Sequence, residues 1–254
     1  MEYGLIGEKL GHSYSKEIHE QLADYTYDLT PLTKEEFTSF MEEKNFKAIN
    51  VTIPYKQAVI PYLDYIDEHA KNIGAVNTIV NNNGRLEGHN TDFSGFLYMC
   101  KNNNVDMLDK KVLVLGNGGA AKAIYAVAQY MKAKEIVRVN RRAAEGVITY
   151  EECIKNHADA DIIINTTPVG MYPNVDESPL DLTPFTKCSA VLDVIYNPLT
   201  TKLTAQAASL NMTAVTGLEM LVAQAKYAVE FFLNTSIDDE VIDPICKKII
   251  DAKN

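Results

Sequence analysis

The sequence predicts an α/β protein with two domains, and two observations support this prediction. After residue 110, short apolar segments typical of strands buried on both faces alternate with segments typical of helices. Such alternation favours right-handed βαβ units and a parallel sheet. The length of 254 residues fits one or two domains, at roughly 100–200 residues each.

The predicted elements follow one another along the whole chain. In the second half, strands are expected at residues 111–115, 135–139, 161–165, 190–194 and 212–215, with a helix at residues 120–128. The first hundred residues alternate less cleanly, with strands expected at residues 2–6, 25–32 and 48–52 and helices at residues 15–24 and 34–44. Pro54 ends the third of these strands, because proline lacks the N–H that a sheet requires.

The domain organisation is predicted to be discontinuous. The polar segment at residues 101–104 is the best candidate for a linker, and residues 218–233 and 239–250 are strongly helical. We expect these last helices to pack back on the first domain. An N-terminal α/β substrate domain therefore combines residues 1–101 with 218–254, and the second domain covers residues 102–217.

Composition argues against several classes of protein. Hydrophobic residues make up 46% and charged residues 23% of the chain, which is typical of globular proteins. A net charge of −10 without a basic patch disfavours nucleic-acid binding. Because no apolar run approaches the length of a membrane span and the first residues do not resemble a signal peptide, we expect no membrane partner. Four scattered cysteines without a C-x-x-C pair indicate reduced thiols in a cytoplasmic protein and no structural zinc.

A glycine-rich segment follows the first strand of the second half. Gly116, Asn117, Gly118, Gly119 and Ala120 stand between this strand and an alanine-rich helix. The first glycine permits a tight turn, the second lets the backbone approach a pyrophosphate, and the helix N-terminus supplies N–H donors. This context is more specific than the glycines alone, and it predicts a dinucleotide-binding domain of the Rossmann type.

The end of the next strand indicates which dinucleotide is bound. An NAD site requires Asp or Glu at this place to accept hydrogen bonds from the ribose hydroxyls, but the chain has Asn140, Arg141 and Arg142. Two guanidinium groups can pair with a 2′-phosphate, whereas the alternative interpretation of the arginine pair is a solvated turn. The sequence therefore predicts NADP as the cofactor.

Polar clusters in the first hundred residues are hard to explain by packing alone. They occupy residues 11–15, residues 50–56, and the two segments 74–78 and 88–92. Ser13 and Ser15 place two hydroxyls ahead of a predicted helix, where a cap requires only one and a bound carboxylate would use both. Asn, Thr and Asp are also common in turns, but their joint occurrence with Lys56 favours a polyhydroxylated substrate.

Ordered motifs extend these clusters through the chain. Besides the glycine-rich loop they are Gly11-His12-Ser13-x-Ser15, Asn50-Val51-Thr52-x-Pro54-x-Lys56, Gly74-Ala75-Val76-Asn77-Thr78, Asn90-Thr91-Asp92, Asn140-Arg141, Asn165-Thr166-Thr167-Pro168-x-Gly170-Met171, Asp193-x-x-Tyr196-x-Pro198 and Gly217-x-x-Met220-Leu221-x-x-Gln224. With these motifs the chain resembles the shikimate dehydrogenase family over essentially its whole length. The resemblance implies reversible reduction of 3-dehydroshikimate to shikimate with NADPH, in aromatic amino-acid biosynthesis, and it allows a homodimer.

The resemblance implies roles for particular residues on the substrate side. Ser13 and Ser15 are expected to bind the substrate carboxylate. Lys56 and Asp92 are expected to form the catalytic pair, in which the lysine gives and takes the proton and the aspartate orients it. The substrate hydroxyls and carbonyl are expected to contact Thr52, Lys56, Asn77, Asp92, Tyr196 and Gln224. We expect no metal, and no acid–base role for His12 and His89 in loops or for His19 on a helix.

On the cofactor side, the resemblance implies that residues 116–120 hold the pyrophosphate and residues 140–142 the adenosine phosphate. It also implies that Val194 and Gly217 lie near the nicotinamide. Three residues depart from the family pattern, in which proline, alanine and threonine are usual where this chain has Lys16, Asn117 and Arg142. Residues 143–156 form a shorter adenine-side segment than the family leads us to expect.

Two alternatives stay open at this point. One is a quinate/shikimate dehydrogenase that uses NAD, against which the missing acidic residue after Val139 argues. The other is a non-catalytic NADP-sensing regulator built on the same fold. Such a regulator could dispense with Lys56 and Asp92, and the chain has both.

Overall fold

The computed structural model describes residues 1–11 and 13–252, so His12 of the first polar cluster lies outside the described residues. The chain forms two compact units, one of residues 1–95 and 222–254 and the other of residues 96–221. The division between the units falls inside two helices, at residues 91–102 and 218–233.

The first unit is built around a mixed sheet. Its strands and helices are β1 (Tyr3–Gly7), α1 (Ser15–Leu22), β2 (Tyr27–Pro31), α2 (Lys34–Glu43), β3 (Ala48–Val51), β4 (Tyr65–Ile66), α3 (Glu68–Ile73), β5 (Thr78–Asn82), β6 (Arg85–His89) and the start of α4 (Thr91–Asn102). The sheet has the order β2-β1-β3-β5-β6-β4 in the described residues. β1 pairs in parallel with β2 and β3, whereas β5 is antiparallel to both of its neighbours.

The second unit contains a parallel sheet. Its elements are β7 (Lys111–Leu115), α5 (Gly119–Tyr130), β8 (Glu135–Val139), β9 (Val147–Ile148), α6 (Tyr150–Asn156), β10 (Ile162–Asn165), β11 (Ala190–Asp193), α7 (Lys202–Ser209) and β12 (Thr213–Val215). Along the described strands the order is β9-β8-β7-β10-β11-β12, and each pair is parallel. This order is the 3-2-1-4-5-6 arrangement of two mononucleotide-binding halves that meet between the first and fourth strands. The predicted Rossmann domain is confirmed.

The C-terminal helices α8 (Leu218–Leu233) and α9 (Ile242–Asp251) follow. Neighbouring residues of β1 point to opposite faces of the first sheet, so Leu5 and Ile6 belong to different apolar clusters. Leu5 packs in one cluster with Ala228 and Phe232 of α8, while Ile6 lies in the cluster on the other face with Met41 of α2. As predicted, α8 packs back on the first sheet, and residues 222–254 belong to the first unit.

Several local predictions are wrong at element ends. α1 ends at Leu22 rather than at residue 24, and the polar segment at residues 101–104 begins inside α4. His89 is the last residue of β6 and not a loop residue. Residues 143–156 contain β9 and α6, whose first turn is held by a reciprocal cap between Thr149 and Glu152. No helix in the described part of the chain combines the length and apolar character that a membrane span requires.

Gly217 provides a test of the close backbone packing in the second unit. A Cβ atom at this position would lie against the backbone carbonyl of Val194, well inside van der Waals contact. Since neither backbone segment can move independently of its sheet, we expect Gly217→Ala to lower the free energy of unfolding by about 1–3 kcal/mol, the scale of overpacking. Gly11→Ala is the control because a Cβ there meets nothing within 4 Å. Equal melting temperatures for the two variants would contradict the prediction.

Candidate active site

Asn77 joins the segments that carry the polar residues of the first unit. Its Nδ2 donates to Oδ1 of Asp92 at 3.0 Å. Its Oδ1 accepts from the backbone N–H of Thr91 at 2.8 Å and from the hydroxyl of Thr78 at 3.0 Å. Because Thr91 and Asp92 begin α4 and Thr78 begins β5, one buried amide holds the helix start beside the strand.

Lys56 and Asp92 form an ion pair in which Nζ donates to Oδ2 at 2.6 Å. The two side chains are 18% and 10% exposed, so water is largely but not fully excluded. The lysine is also held through its backbone, because its carbonyl accepts from the N–H of Val76 at 2.8 Å. The structure thus brings the two predicted catalytic residues together with Asn77 in one network. This arrangement presents an oriented ammonium group, which can donate a proton to a bound ligand.

A second layer of this network includes a residue that the sequence did not indicate. The Tyr27 hydroxyl donates to Oδ1 of Asn50 at 2.7 Å, and Nδ2 of Asn50 donates to the Asn77 carbonyl and to Thr78 Oγ1, both at 3.1 Å. Burial raises the pKa of Tyr27 well above its ordinary value, so the phenol keeps its proton as a donor. Tyr27 and Asn50 lie on strands two places apart in the sheet, and no sequence pattern links such positions.

The predicted carboxylate-binding serines occupy the start of α1. Ser13 Oγ accepts from the backbone N–H of Ser15 at 3.2 Å. The helix begins at Ser15, as the predicted range 15–24 has it, so only Ser13 lies ahead of α1. The residue at the cap position, Tyr14, makes no side-chain cap hydrogen bond. Ser13 therefore satisfies the N–H of Ser15, the first of the N–H groups that a helix start leaves without helical acceptors.

Lys16, one of the departures from the family pattern, is directed toward β2. Its Nζ donates to the carbonyl of Tyr27 and to Glu20 Oε1, both at 2.8 Å. Glu20 in turn accepts from the backbone N–H of Tyr27 at 3.0 Å. The lysine thus ties α1 to the edge strand of the sheet.

Thr52 and Gln224, two further residues expected to contact substrate, make hydrogen bonds to different elements of the first unit. The Thr52 backbone N–H donates to the carbonyl of Ile6 at 2.9 Å, so the threonine continues the strand pairing beyond the end of β3. Gln224 lies on α8, and its Oε1 is 3.4 Å from the Thr91 hydroxyl. Gln224 therefore joins the network around Asn77. In the described part of the chain, no three His, Cys, Asp or Glu side chains are grouped to hold a metal ion.

The glycine-rich loop of the second unit leaves space for a ligand. Gly116 has φ +112°, a conformation that favours glycine, and a Cβ there would collide with Thr166 Oγ1. A Cβ at Gly118 would meet nothing within 4 Å, so the backbone at this place is open to close approach. Gly118 caps α5 without a side-chain hydrogen bond, and the helix starts at Gly119 rather than at the predicted Ala120. Asn117 is exposed beside these open N–H groups.

Asn140 organises the turn after β8. Its Oδ1 accepts from the backbone N–H of Arg141 at 2.8 Å, and its own N–H donates to Ile148 of β9 at 2.9 Å. Arg141 and Arg142 are exposed. Neither guanidinium forms an ion pair within residues 1–11 and 13–252. The turn therefore presents two positive charges to solvent.

Val194, Tyr196 and Gly217 belong to the segments that follow β11 and β12. The Val194 N–H donates to the carbonyl of Asn165 at 3.0 Å, and the Gly217 N–H donates to the carbonyl of Ile195 at 3.0 Å. These bonds place the two predicted nicotinamide residues side by side. Tyr196 lies in the same segment.

The motif Asp193-x-x-Tyr196-x-Pro198 begins with a buried carboxylate at the end of β11. The sequence analysis predicts no role for this residue. Asp193 has no exposed surface. It accepts from Asn165 Nδ2 at 3.0 Å, from the N–H of Ile195 at 3.1 Å and from the Thr201 hydroxyl at 2.8 Å. Burial raises its pKa from 3.8 to about 6, while the hydrogen bonds oppose this rise. The sequence signal for this group was two polar residues, Asn165 and Asp193, that end adjacent strands.

Comparisons with known proteins bear on the whole chain. A family profile described as the shikimate dehydrogenase substrate binding domain matches residues 5–79. The shikimate dehydrogenase (NADP(+)) of Clostridium beijerinckii is 40% identical over 256 residues, covering 94% of each chain. The chain belongs to the shikimate dehydrogenase family.

Solved structures agree over the full length. A chorismate mutase/shikimate 5-dehydrogenase fusion protein from Clostridium acetobutylicum has a TM-score of 0.92 and 38% identity, with 98% of this chain and 97% of that chain covered. Shikimate 5-dehydrogenase from Thermus thermophilus, solved in complex with NADP(H) and shikimate, has a TM-score of 0.86 and 28% identity, with 98% and 99% covered. The recognised family and the two-domain α/β fold are therefore confirmed.

The raised pKa of Asp193 predicts a pH-dependent stability. Because the folded chain binds this proton more tightly than the unfolded chain, the contribution of the group to stability falls as the pH rises from about 4 to about 6. Asp193→Asn removes this titration. The free energy of unfolding of the variant minus that of the parent should therefore increase by about 1–3 kcal/mol between pH 4 and pH 7.5, measured by urea unfolding.

Asp159→Asn is the matched control. It removes the same charge, but the pKa of Asp159 is shifted in the opposite direction from that of Asp193. The Lys111 hydrogen bond lowers the pKa of the exposed Asp159 carboxylate. The stability that this group contributes is present at neutral pH and lost in acid, so the corresponding difference should decrease with rising pH. If the difference in free energy of unfolding between Asp193→Asn and the parent did not change with pH, the prediction would be contradicted.

Proposed function

We propose that the chain catalyses the reversible reduction of 3-dehydroshikimate to shikimate with NADPH. The observation that carries this proposal is the 2.6 Å ion pair of Lys56 and Asp92, held by Asn77 in a polar network that is almost enclosed. The relatives named as NADP-dependent shikimate dehydrogenases support both the substrate and the cofactor. The reaction belongs to aromatic amino-acid biosynthesis, in the class of oxidoreductases that act on a CH–OH group.

The residues of the first unit suit a polyhydroxylated acid. In this proposal Ser13 and Ser15 bind the carboxylate at the start of α1, where the helix dipole also favours an anion. The network around Asn77 offers both donors and acceptors to the hydroxyl groups. The residues proposed to contact substrate are Ser13, Ser15, Thr52, Lys56, Asn77, Asp92, Tyr196 and Gln224.

The residues of the second unit suit NADP. The open backbone at Gly118 and the uncapped start of α5 fit a pyrophosphate, and the unpaired Arg141 and Arg142 fit the 2′-phosphate. In this proposal residues 116–120 hold the pyrophosphate, residues 140–142 hold the adenosine phosphate, and Val194 and Gly217 border the nicotinamide. Bound NADPH supplies the hydride to the carbonyl carbon.

The proton has a defined source in this proposal. The Lys56 ammonium gives its proton to the carbonyl oxygen as the alcohol forms, and the neutral amine takes it back in the reverse reaction. Asp92 keeps Nζ in place through its 2.6 Å hydrogen bond. Asn77 fixes the other carboxylate oxygen, so Asp92 cannot rotate away from the lysine.

The remaining features of the proposal concern the protein as a whole. The functional domains comprise residues 1–101 with 218–254 for substrate and residues 102–217 for the cofactor. A cytoplasmic location is supported by the burial of all four cysteines in reduced form, since disulfides persist in oxidising compartments. The homodimer stays a prediction, which light scattering of the purified protein checks.

Steady-state oxidation of shikimate with NADP tests the proposed function. We expect activity with shikimate and NADP that exceeds activity with quinate or with NAD. Preference for NAD and quinate would favour a quinate/shikimate dehydrogenase. Binding of NADP without turnover of either acid would favour a regulator.

Lys56→Ala tests the proton donor. We expect kcat to fall by about 10²–10⁴-fold with a much smaller change in the KM for shikimate, because proton transfer is lost while binding groups stay. Lys71→Ala is the control, since it removes an exposed lysine from the same unit. An unchanged kcat with a raised KM would show that Lys56 only binds substrate.

The double variant Arg141→Ala, Arg142→Ala tests the phosphate contact. Charge-assisted hydrogen bonds are worth roughly 1.5–3 kcal/mol each, so KM for NADP should rise at least about tenfold while KM for NAD changes little. Arg85→Ala in the first unit controls for loss of positive charge. Equal effects on NADP and NAD would mean that the arginines do not recognise the 2′-phosphate.

A further inference from the structure

Asp193 combines complete burial with the absence of a positively charged partner. Its three hydrogen-bond donors, Asn165 Nδ2, the Ile195 N–H and the Thr201 hydroxyl, are all neutral. In the described part of the chain it forms no ion pair. Buried carboxylates normally have a cation beside them. The negative charge of Asp193 is therefore not neutralised by a neighbouring positive charge.

The place of Asp193 in the sheet relates it to one half of the dinucleotide. The glycine-rich loop and the arginine pair follow β7 and β8, which assigns the adenosine half to β7, β8 and β9. In a sheet of this order the second mononucleotide lies at the carboxyl ends of the other three strands. Asp193 is the last residue of β11, the middle strand of that second half.

The carboxylate also holds the segment that borders this second half. It accepts from the Ile195 N–H, and Ile195 accepts from the N–H of Gly217 through its carbonyl at 3.0 Å. The carbonyl of Val194, between Asp193 and Ile195, lies against Gly217. The charge is therefore connected to the backbone that is proposed to border the nicotinamide.

We infer that the buried carboxylate of Asp193 makes the nicotinamide half of the site prefer the oxidised cofactor NADP⁺ over NADPH. This inference rests on the proposed function, because it takes the cofactor to be a nicotinamide dinucleotide. The nicotinamide ring carries a positive charge when oxidised and none when reduced. A fixed negative charge in this half of the site therefore stabilises the oxidised form and leaves the reduced form almost unaffected.

The environment of Asp193 makes this effect long-ranged. A charge surrounded by protein is screened less than one in water, so it acts over several ångströms. Its neutral neighbours do not neutralise it, and its pKa of about 6, raised by burial against the opposing hydrogen bonds, leaves it ionised at neutral pH. Asp193 acts on the cofactor through this field and through the segment that it holds, and so it is a positioning residue.

Asp193→Asn is the variant that isolates the charge. The amide oxygen can accept from Asn165 and Ile195, as Oδ1 of the aspartate does. The amide nitrogen can donate to Thr201 Oγ1, whose hydroxyl can turn to Thr204 Oγ1 at 3.2 Å. The hydrogen bonds are thus preserved while the negative charge is removed. Asp159→Asn is the matched control, because Asp159 lies before the start of β10, at the amino ends of the parallel strands, and is paired with Lys111.

Dissociation constants of NADP⁺ and NADPH, measured by calorimetry without substrate, provide the test. For Asp193→Asn we expect the ratio of Kd for NADP⁺ to Kd for NADPH to rise by about 3- to 10-fold, the scale of one buried charge acting through protein. NADPH binding should change little, and the ratio for Asp159→Asn should equal that of the parent. An unchanged ratio for Asp193→Asn, with both constants raised equally or neither altered, overturns the inference. If the parent binds neither cofactor, the proposed function itself fails.

If Asp193→Asn does not fold, the parent protein still permits the test. The groups that face Asp193 are the uncharged Asn165, Ile195 amide and Thr201, so its own protonation is the local charge change in acid. The 2′-phosphate is common to both cofactors and cancels in the ratio. We expect the ratio of the two dissociation constants to rise between pH 8 and pH 5. A ratio that stays constant over this range overturns the inference.

Discussion

A buried carboxylate must receive hydrogen bonds from its surroundings, since a charge taken out of water is costly unless it is satisfied. Both units meet this constraint with an asparagine. Asn77 donates to Asp92 and Asn165 donates to Asp193, each at 3.0 Å. The oxygen of each amide also accepts a backbone N–H, from Thr91 of α4 at 2.8 Å and from Thr167, two residues further along the same segment, at 3.0 Å. One side chain thus satisfies the carboxylate and fixes the loop beside it, and the rest of each site is built on that pair.

The two asparagine–aspartate pairs differ in the group that contacts the second oxygen of the carboxylate. Asp92 has the Lys56 ammonium at 2.6 Å, so its negative charge is matched by a mobile proton donor. Asp193 has the Thr201 hydroxyl at 2.8 Å, which satisfies the oxygen but leaves the charge in place. In the proposed function the same amide–carboxylate unit holds the proton donor in one unit and a fixed negative charge in the other.

The sequence predicted those features that depend on local pattern. The apolar runs of β7 and β8 are contiguous, and both strands have the predicted bounds. The helix after the glycines, α5, begins one residue before its predicted range and ends two residues after it. The two-residue strands β4 and β9 have no periodicity to detect, since alternation needs at least four residues. Within the site, the pairing of Lys56 with Asp92 was expected from the resemblance of their motifs to the family. Tyr27 was missed because its hydrogen bond to Asn50 exists only after β1 has come between their strands.

The charges of the chain show how an acidic protein retains sites for anions. Its net charge is −10. Several of its lysines form ion pairs with carboxylates, as Lys16 does with Glu20 and Lys226 with Glu230. Cations that are already paired gain little from a ligand, because binding must first break the existing pair. The arginines after β8 are exposed and, within the described residues, make no ion pair, so a phosphate can engage them without such a cost. The acidic surface repels anions elsewhere, so an anionic cofactor is favoured where exposed positive charges stand next to each other, as in Arg141 and Arg142.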